Sequence, residues 1–485
     1  MKFPLLAKVG AIVLVGVMLL FVLVRIEGLV RERKGRGEEA VRGVEHSHAA
    51  AQAVVGPVLE RTCTEEWDTT VGTGKDRVVT TSKRDFTLLQ VPSRLAVDSR
   101  TKADPLWRGL FKVNAWVGHF TIAADFASLA PLQPQREHDD GRLKCGAPVL
   151  LVALSDVRGV RAATVAADGQ ALAVEPGTTS AAYASGLHAT LASARVDGDA
   201  AAQPLSVHLE LDLIGTSQLA WVPAAGSTRW TLNSDWPHPS FGGQFSPEQR
   251  DVRTDGFGAT WNLSALATTA PADVAKGMAL CEPVGISVEA AADSQDGSAK
   301  SDKCLDLMAV GFIDPVNPYV LSDRAVKYDL LFIVLTFIAV GLVEVLSGRR
   351  VHPVQYLLVG LALALFFLLL LSLSEHMVFE RAYIAAASAC AVLLGVYATS
   401  MLGRKVSGLL FGLGIALLYG LLYALLQMEQ NALVIGSVML FAALATVMLL
   451  TRRIDWYALL ARLRVDGAKP AGSQQRFAAD LEARP

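Results

Sequence analysis

Apolar residues fall into two patterns along the chain. In one they run for about 20 positions, the length of helix that crosses a hydrocarbon core of roughly 30 Å. Six segments pass that test: residues 9–30, 330–348, 356–373, 383–402, 406–426 and 431–450. Arg25 and Glu27 interrupt the first of these and mark its interfacial end. The last five follow one another through short connections, so neighbouring helices must run antiparallel. In the other pattern the period is two. Leu205, Val207, Leu209, Leu211 and Leu213 alternate with Ser206, His208, Glu210 and Asp212, as in a strand with one wet face. Phe111, Val113, Ala115 and Val117 alternate likewise, and beyond Gly118 the phase moves to Phe120, Ile122, Ala124 and Phe126, which predicts a turn or bulge there. Short apolar runs at 149–154, 230–232 and 286–288 are parted by Gly, Pro, Asp and Ser. Such spacing predicts antiparallel sheets packed face to face.

The fold class expected is therefore an α-helical membrane bundle of six transmembrane helices with a large all-β, sandwich-like domain. Residues 1–8 form a cytoplasmic N-terminus and 9–30 a transmembrane signal anchor. Residues 31–53, rich in charge and Ala without Pro, form a helical linker that Gly56-Pro57 brings to an end. The β-rich domain occupies 54–328, the five-helix bundle 329–451 and a cytoplasmic tail 452–485.

Charge orients these pieces. Arg349 and Arg350, Arg404 and Lys405, and Arg452 and Arg453 mark three ends that share one side. The alternate connections carry Glu375, His376, Glu380 and Arg381 in one case and Glu429 in the other. Basic short loops stay in the cytoplasm. Counting back puts the β-domain in the periplasm and both termini inside. The first segment's own flanks disagree, since Lys2 and Lys8 precede it while Arg25, Arg31, Arg33, Lys34 and Arg36 follow. Three concordant loops outweigh that signal. Arg-Ile-Glu-Gly-Leu-Val-Arg after Val24 holds no small-x-small cleavage site, so the segment reads as an uncleaved anchor.

Composition agrees with a chain partly in lipid: 52% of its 485 residues are hydrophobic and 19% charged. The net charge is −2, and no basic stretch with interleaved aromatics occurs, which excludes nucleic acid as a main partner. Cys63, Cys145, Cys281 and Cys304 lie in the outer domain and Cys390 in a membrane helix. Four outer thiols permit two disulfides in an oxidising compartment. Cys281 with Cys304 would close a loop worth roughly 3 kcal/mol in the chain-entropy model, leaving Cys63 with Cys145; four buried free thiols are the alternative.

Catalytic signatures are missing. Gly72-Thr-Gly-Lys75 has Thr69 where a phosphate loop needs its first Gly and Asp76 where it needs Ser or Thr, so it reads as a turn. There is no G-x-S-x-G elbow and no H-E-x-x-H helix. Glu45, His46 and His48 are the best short metal-type cluster, against which stands a solvated charge run. Trp236-Pro-His-Pro-Ser-Phe241 holds Trp236, His238 and Phe241 on a stiff loop that either docks a partner or packs on its own sheet. Glu344 stands near Arg349 and Arg350 for pairing or snorkelling. Glu375 and His376 make either a small polar site or an ordinary interfacial loop. No catalytic residue, cofactor or metal is assigned.

Several stretches together resemble the CreD family of inner-membrane envelope integrity proteins. They are Ser155-Asp-Val-Arg-Gly159, Glu175-Pro-Gly-Thr178, Ser234-Asp-Trp-Pro-His-Pro-Ser-Phe241, Ser322-Asp-Arg-Ala-Val-Lys-Tyr328, His352-Pro-Val-Gln-Tyr-Leu-Leu-Val-Gly360, Ser374-Glu-His376 and Arg453-Ile-Asp-Trp-Tyr457. The resemblance implies a role in envelope integrity and a link to a two-component sensor and regulator pair, and it carries no catalytic residue. The four outer cysteines and the stretch 293–303 read as departures from the family pattern. The function expected is a non-enzymatic inner-membrane protein, partnered by the lipid bilayer and by envelope proteins. A transporter or lipid-handling protein built on the helix bundle is the alternative, and an envelope hydrolase has the least support.

Overall fold

A computed structural model describes residues 4–71, 78–280, 304–314, 318–347, 351–403, 405–427 and 432–452. The chain divides into two compact units, Gly37–Pro315 and the combination of Met1–Arg36 with Val316–Pro485.

The unit Gly37–Pro315 is built on two large sheets. One has nine strands, in the order Val174–Pro176, Gly186–Thr190, Val149–Leu154, Gln52–Val71, Gln218–Trp221, Met308–Phe312, Pro239–Gly243, with Val78–Gln90 and Arg142–Cys145 pairing to the far half of Gln52–Val71. The other has eight, in the order Gln170–Leu172, Val160–Ala167, Leu205–Thr216, Ala115–Phe126, Arg94–Ala103, Ser227–Ser234, Gly256–Ser264, Gln249–Arg253. Leu59, Val152, Trp221 and Val310 of the first sheet share one core with Val97, Ile122, Leu209 and Trp230 of the second, all at most 1% exposed. Alternation along the strands is what lets two inner faces interdigitate in this way. Trp230 stacks on Trp261 at 4.4 Å, and Phe120, Trp221 and Phe312 extend the aromatic layer.

Four expectations change here. The sheets are mixed, because Gln52–Val54 pairs parallel to Leu219–Trp221 and Arg94–Thr101 parallel to Ser227–Ser234. Gly118 is neither turn nor bulge: Ala115–Phe126 runs unbroken, with Gly118 opposite Leu213 on one side and Thr101 on the other. Its inward series is Trp116, Gly118, Phe120 and Ile122, so Val117 faces out, 41% exposed. A Cβ at Gly118 would stand 2.7 Å from the Phe120 ring, which is why the inward row has a gap that reads as a change of phase. Phe111–Val113 belongs to a separate small hairpin with Leu106–Arg108. Finally, the first helix ends at Ser47, and Gly56-Pro57 lies inside the strand Gln52–Val71, where the register to Val149–Leu154 shifts between Val55 and Val58.

The first helix, Pro4–Ser47, is continuous over 44 residues, so anchor and linker are one element. Among the described residues four helices are long and apolar enough to cross a membrane: Gly10–Ser47, Pro353–Ser374, Phe379–Met401 and Lys405–Gln427. Six were expected. Pro318–Val326 and Asp329–Glu344 meet at a bend of 47° and make a fifth if they form one span. The sixth segment is the helix Ala432–Thr451, whose apolar stretch Gly436–Leu449 falls short of the length test among the described residues.

Local chemistry shapes these helices. His352 caps Pro353–Ser374 in a reciprocal box with Gln355, with Pro353 in the first turn where its missing N–H costs nothing. Gly403, at φ 62°, closes Phe379–Leu402 in the left-handed conformation. Gly395 and Gly412 bring that helix against Lys405–Gln427 so closely that a Cβ on Gly412 would stand 3.1 Å from the Cα of Gly395. Small residues at such crossings replace the hydrophobic drive that lipid cannot supply.

Candidate functional site

A dense set of specific polar contacts lies where the first helix hands over to the β-sheet. Ala49, Ala51, Gln52 and Ala53 are buried there. Ser155-Asp-Val-Arg-Gly159 wraps them. The Ser155 hydroxyl donates to the carbonyl of Ala51 and accepts from the N–H of Ala53, both at 2.9 Å. The Asp156 carboxylate accepts from the N–H of Ala50 at 2.9 Å and from the N–H of Arg158 at 3.1 Å. Arg158 closes back on Asp156 at 2.6 Å and also donates to the carbonyl of His46, in the last turn of the helix. Gln52 donates to the carbonyls of Asp156 at 2.9 Å and Ile214 at 3.3 Å. Gly159 has no room for a side chain, since a Cβ would strike Gln52 and the backbone of Ile214.

This clamp turns a helix end and a strand start into one piece. The orphan groups of a helix terminus need partners, and here the partners come from a loop about a hundred residues away in sequence. Burial pushes the Asp156 carboxyl up, but the hydrogen bonds from Arg158 and from the backbone of Ala50 and Arg158 outweigh it, and the net position is below the usual carboxylate range. His48 is held toward its neutral form. Burial first, then the Arg161 charge, lowers its pKa against the opposing pull of Asp104.

Glu45, His46 and His48 thus belong to a packed joint. Thr216 reaches Glu45 at 3.5 Å and the carbonyl of Ala49 at 3.1 Å, and Arg158 takes the carbonyl of His46. No group of three or more metal-type side chains gathers among the described residues.

The aromatic-proline stretch packs on its own domain. Trp236 is 4% exposed, donates Nε1–H to the carbonyl of Ile313 at 3.0 Å and meets Phe312 edge to face at 5.9 Å. Phe241, in the strand Pro239–Gly243, contacts the rings of Phe257 and Trp261. His238 between them is exposed.

Cys63 and Cys145 sit opposite each other in paired strands and are joined by a disulfide across 82 residues. Cys304 is disulfide-bonded too, whereas Cys281, the stretch 286–288 and the Gly72-to-Lys75 turn lie outside the described residues. Cys390 is a buried free thiol.

In the helical unit Glu344 stays apart from Glu375 and His376. Glu344 accepts from the Tyr356 hydroxyl at 3.1 Å, while Arg349 and Arg350 lie outside the described residues. Glu375, 9% exposed, pairs with Arg33 at 3.7 Å. His376 turns back onto the carbonyl of Ser372 at 3.2 Å. Tyr356 and Glu375 mark opposite ends of Pro353–Ser374, about 28 Å apart at 1.5 Å per residue.

Sequence reasoning missed the clamp, and it missed Glu65. That carboxylate is fully buried and accepts the N–H groups of Glu137 at 2.9 Å and His138 at 3.1 Å, with Arg84 at 3.5 Å. It fixes the loop in which His138 stacks on Trp67 at 3.9 Å. The only advance signal was the Ser155-to-Gly159 motif itself, which joins residues that no local period connects.

The family described as inner membrane protein CreD matches residues 4–457. Inner membrane protein CreD of Escherichia coli (strain K12) is 33% identical over 461 residues, covering 94% of this chain and 95% of that protein. This chain belongs to the CreD family. Two solved structures of an M1 zinc metallopeptidase from Deinococcus radiodurans, one of them a mutant bound to a Tyr-Ser-Ala substrate, each cover 35% of this chain and 38% of that one at 10% identity and a TM-score of 0.18. A likeness that slight bears on neither fold nor function. Within the CreD frame the stretches that carry the resemblance have physical roles: Ser155 to Gly159 is the clamp, Trp236 to Phe241 seals the sheet edge, and His352 with Gln355 caps a membrane helix.

Proposed function

We propose that this CreD-family protein supports cell-envelope integrity as a non-enzymatic inner-membrane protein. It crosses the membrane six times with both termini in the cytoplasm, and it presents the β-domain to envelope proteins on the periplasmic side. The observation that carries this reading is the clamp. A helix end locked by Ser155, Asp156 and Arg158 into the first strand gives the sandwich a fixed entry, a device suited to holding its surface in shape. The Cys63–Cys145 disulfide supports the periplasmic side, because such bonds persist in oxidising compartments. The basic loops support the same side.

Two measurements test the reading. A reporter fused after residue 250 should be active only in its exported form; activity of a cytoplasm-only reporter there would overturn the topology. Deleting the gene should lower resistance to detergents and envelope-directed agents, and the wild-type chain should restore it. Unchanged resistance in the deletion would remove the envelope role. Alanine at Glu344, Glu375 and His376 together should leave that resistance intact, and its loss would favour the transport or lipid-handling alternative.

A further inference from the structure

The edge of a sheet offers unpaired backbone N–H and C=O groups to any strand that comes alongside, and folds blunt it with short strands, Pro or charge. Four edge strands of the two large sheets follow that rule. Gln170–Leu172 and Val174–Pro176 have three residues each, the second ending in Pro. Pro239–Gly243 opens on Pro, and Gln249–Arg253 is five residues long and carries Arg250, Asp251 and Arg253. Val78–Gln90 breaks it. That strand runs for 13 residues without Pro and pairs, among the described residues, with Gln52–Val71 alone. At one end Gln90 donates to the carbonyl of Ser128 at 2.6 Å, so the open length lies toward Val79, which is 63% exposed.

The charges on one face of this strand are unmatched within the chain. Thr81, Lys83, Asp85 and Thr87 all project from that face and are exposed. Lys83 stands opposite Glu66, but Glu66 is taken by Lys144 at 3.0 Å. Asp85 accepts a hydrogen bond from Thr64 at 2.6 Å. Neither Lys83 nor Asp85 has an ion-pair partner among the described residues. On the other face Arg84 is matched, by Glu65 at 3.5 Å and by Glu137.

A second copy of the same strand supplies what is missing. In an antiparallel pair about a two-fold axis through Arg84, Lys83 of each copy faces Asp85 of the other, and Thr81 faces Thr87. Opposite charges and paired threonines across strands are each favourable. The row behind Lys83 holds Glu66 and then Arg142, so the sign of charge goes on alternating into Asp85 of the second copy. Sliding one strand by two residues, the smallest move that keeps the faces aligned, sets Lys83 on Lys83 or Asp85 on Asp85. One register is thus favoured and its neighbours are repelled. Arg84 meets its own copy at the axis with its charge already answered by Glu65 and Glu137.

We propose that Val78–Gln90 is a self-association edge: two copies of this chain pair there, residues 81–87 against 81–87, and join their nine-stranded sheets into one. The contact is the same patch on both copies, so it closes at a dimer. This goes beyond the proposed envelope role and does not depend on it.

The test uses the purified full chain in detergent micelles. Thr81→Cys with Thr87→Cys sets the two thiols opposite each other across the axis, whereas within one chain they lie about 20 Å apart along the strand. Mild oxidation should link this double variant into a dimer and should link neither Thr81→Cys nor Thr87→Cys alone, although all three keep Cys390. Lys83→Glu sets an acid opposite Asp85 twice and should weaken self-association about ten-fold in sedimentation equilibrium, and Lys83→Glu with Asp85→Lys should restore it. All four positions are exposed in the single chain, so these changes leave its core alone. A wild-type chain that sediments as a monomer at every concentration overturns the inference and leaves the edge to a strand of another protein. So does linking of a single variant as complete as that of the double, which is the mark of random collision. Failure of the charge exchange to restore what Lys83→Glu loses overturns it as well. The envelope role stands or falls separately, on the resistance assay.

Discussion

Along the strand Leu205–Thr216 the residues Leu205, Val207, Leu209, Leu211 and Leu213 are at most 1% exposed while His208 and Glu210 face outward, whereas along Phe379–Leu402 and Lys405–Gln427 the residues Leu393, Val396, Leu409 and Leu417 stand 59 to 67% exposed. In the first unit burial follows hydrophobicity, as water demands. In the second it does not, because hydrocarbon accepts leucine on the outside as readily as the interior does. The cores differ for the same reason. The β-domain draws its stability from large aromatic side chains removed from water, and the helices rely on close backbone approach at Gly395 and Gly412.

Removing Trp230 should break the comparison most forcefully. The side chain is fully buried, stacks on Trp261 and donates to the Ser99 hydroxyl at 2.8 Å. Trp230→Ala is expected to cost about 4 kcal/mol. Denaturant unfolding followed by near-ultraviolet circular dichroism should shift strongly, with the helical far-ultraviolet signal holding to higher denaturant. Simultaneous loss of both signals would show that the two units are one cooperative body.

The disulfide comes next. Cys63→Ser with Cys145→Ser opens a link across 82 residues and should destabilise the β-domain by about 4 kcal/mol. Reductant added to the wild-type chain should reproduce the effect and make the region around the strand Arg142–Cys145 sensitive to protease, with the helices untouched. An unchanged digestion pattern would mean that the sheet holds these strands without the bond.

Much of this was legible in advance. The run from Leu205 to Leu213 announces its strand, and the apolar segments announce their helices, because each pattern repeats within a few residues. Tertiary pairing is a different matter. The parallel partnership of Arg94–Thr101 with Ser227–Ser234 joins residues more than a hundred positions apart, and no local period reports it. Gly118 misled because a glycine in an inward row is indistinguishable, from its neighbours, from a break in the row. Asp168-Gly169, both at positive φ, is a hairpin signal that the strand reading passed over. The clamp was visible only as a family motif, since its meaning depends on where the carbonyl of Ala51 and the N–H of Ala50 arrive.

The clamp carries the pH prediction. Asp156→Ala removes a charged acceptor from the N–H of Ala50 and from Arg158, and should cost about 2 kcal/mol. In the folded state its carboxyl is held below the ordinary value near 3.8. A depressed carboxyl stabilises the fold above the unfolded value, and that contribution is lost as pH falls through the folded one. Amide exchange at Ala50, corrected for its intrinsic rate, should therefore speed up as the solution is taken below about pH 4. In Asp156→Ala it should already be fast at neutral pH and show no such step. A step of equal size in the variant would assign it to another carboxylate, with Asp125, held down by Arg94, the first to examine.

The smallest expected effect sharpens the contrast between the units by deleting one hydrogen bond in each. Ser99→Ala leaves the Trp230 Nε1–H buried with its partner gone, which should cost about 1.5 kcal/mol in the β-domain. Tyr356→Phe removes the hydroxyl that meets Glu344 at 3.1 Å, and in a membrane helix pair such a loss averages about 0.6 kcal/mol. The ordering follows from the reference states: an unfolded β-domain finds water for every polar group, while helices parted within a bilayer still find partners for theirs. Unfolding both variants in the same lipid environment measures the two losses side by side. A larger loss for Tyr356→Phe would mean that Glu344 depends on that phenol far more than a helix-end carboxylate should, and the transport reading of the bundle would regain ground.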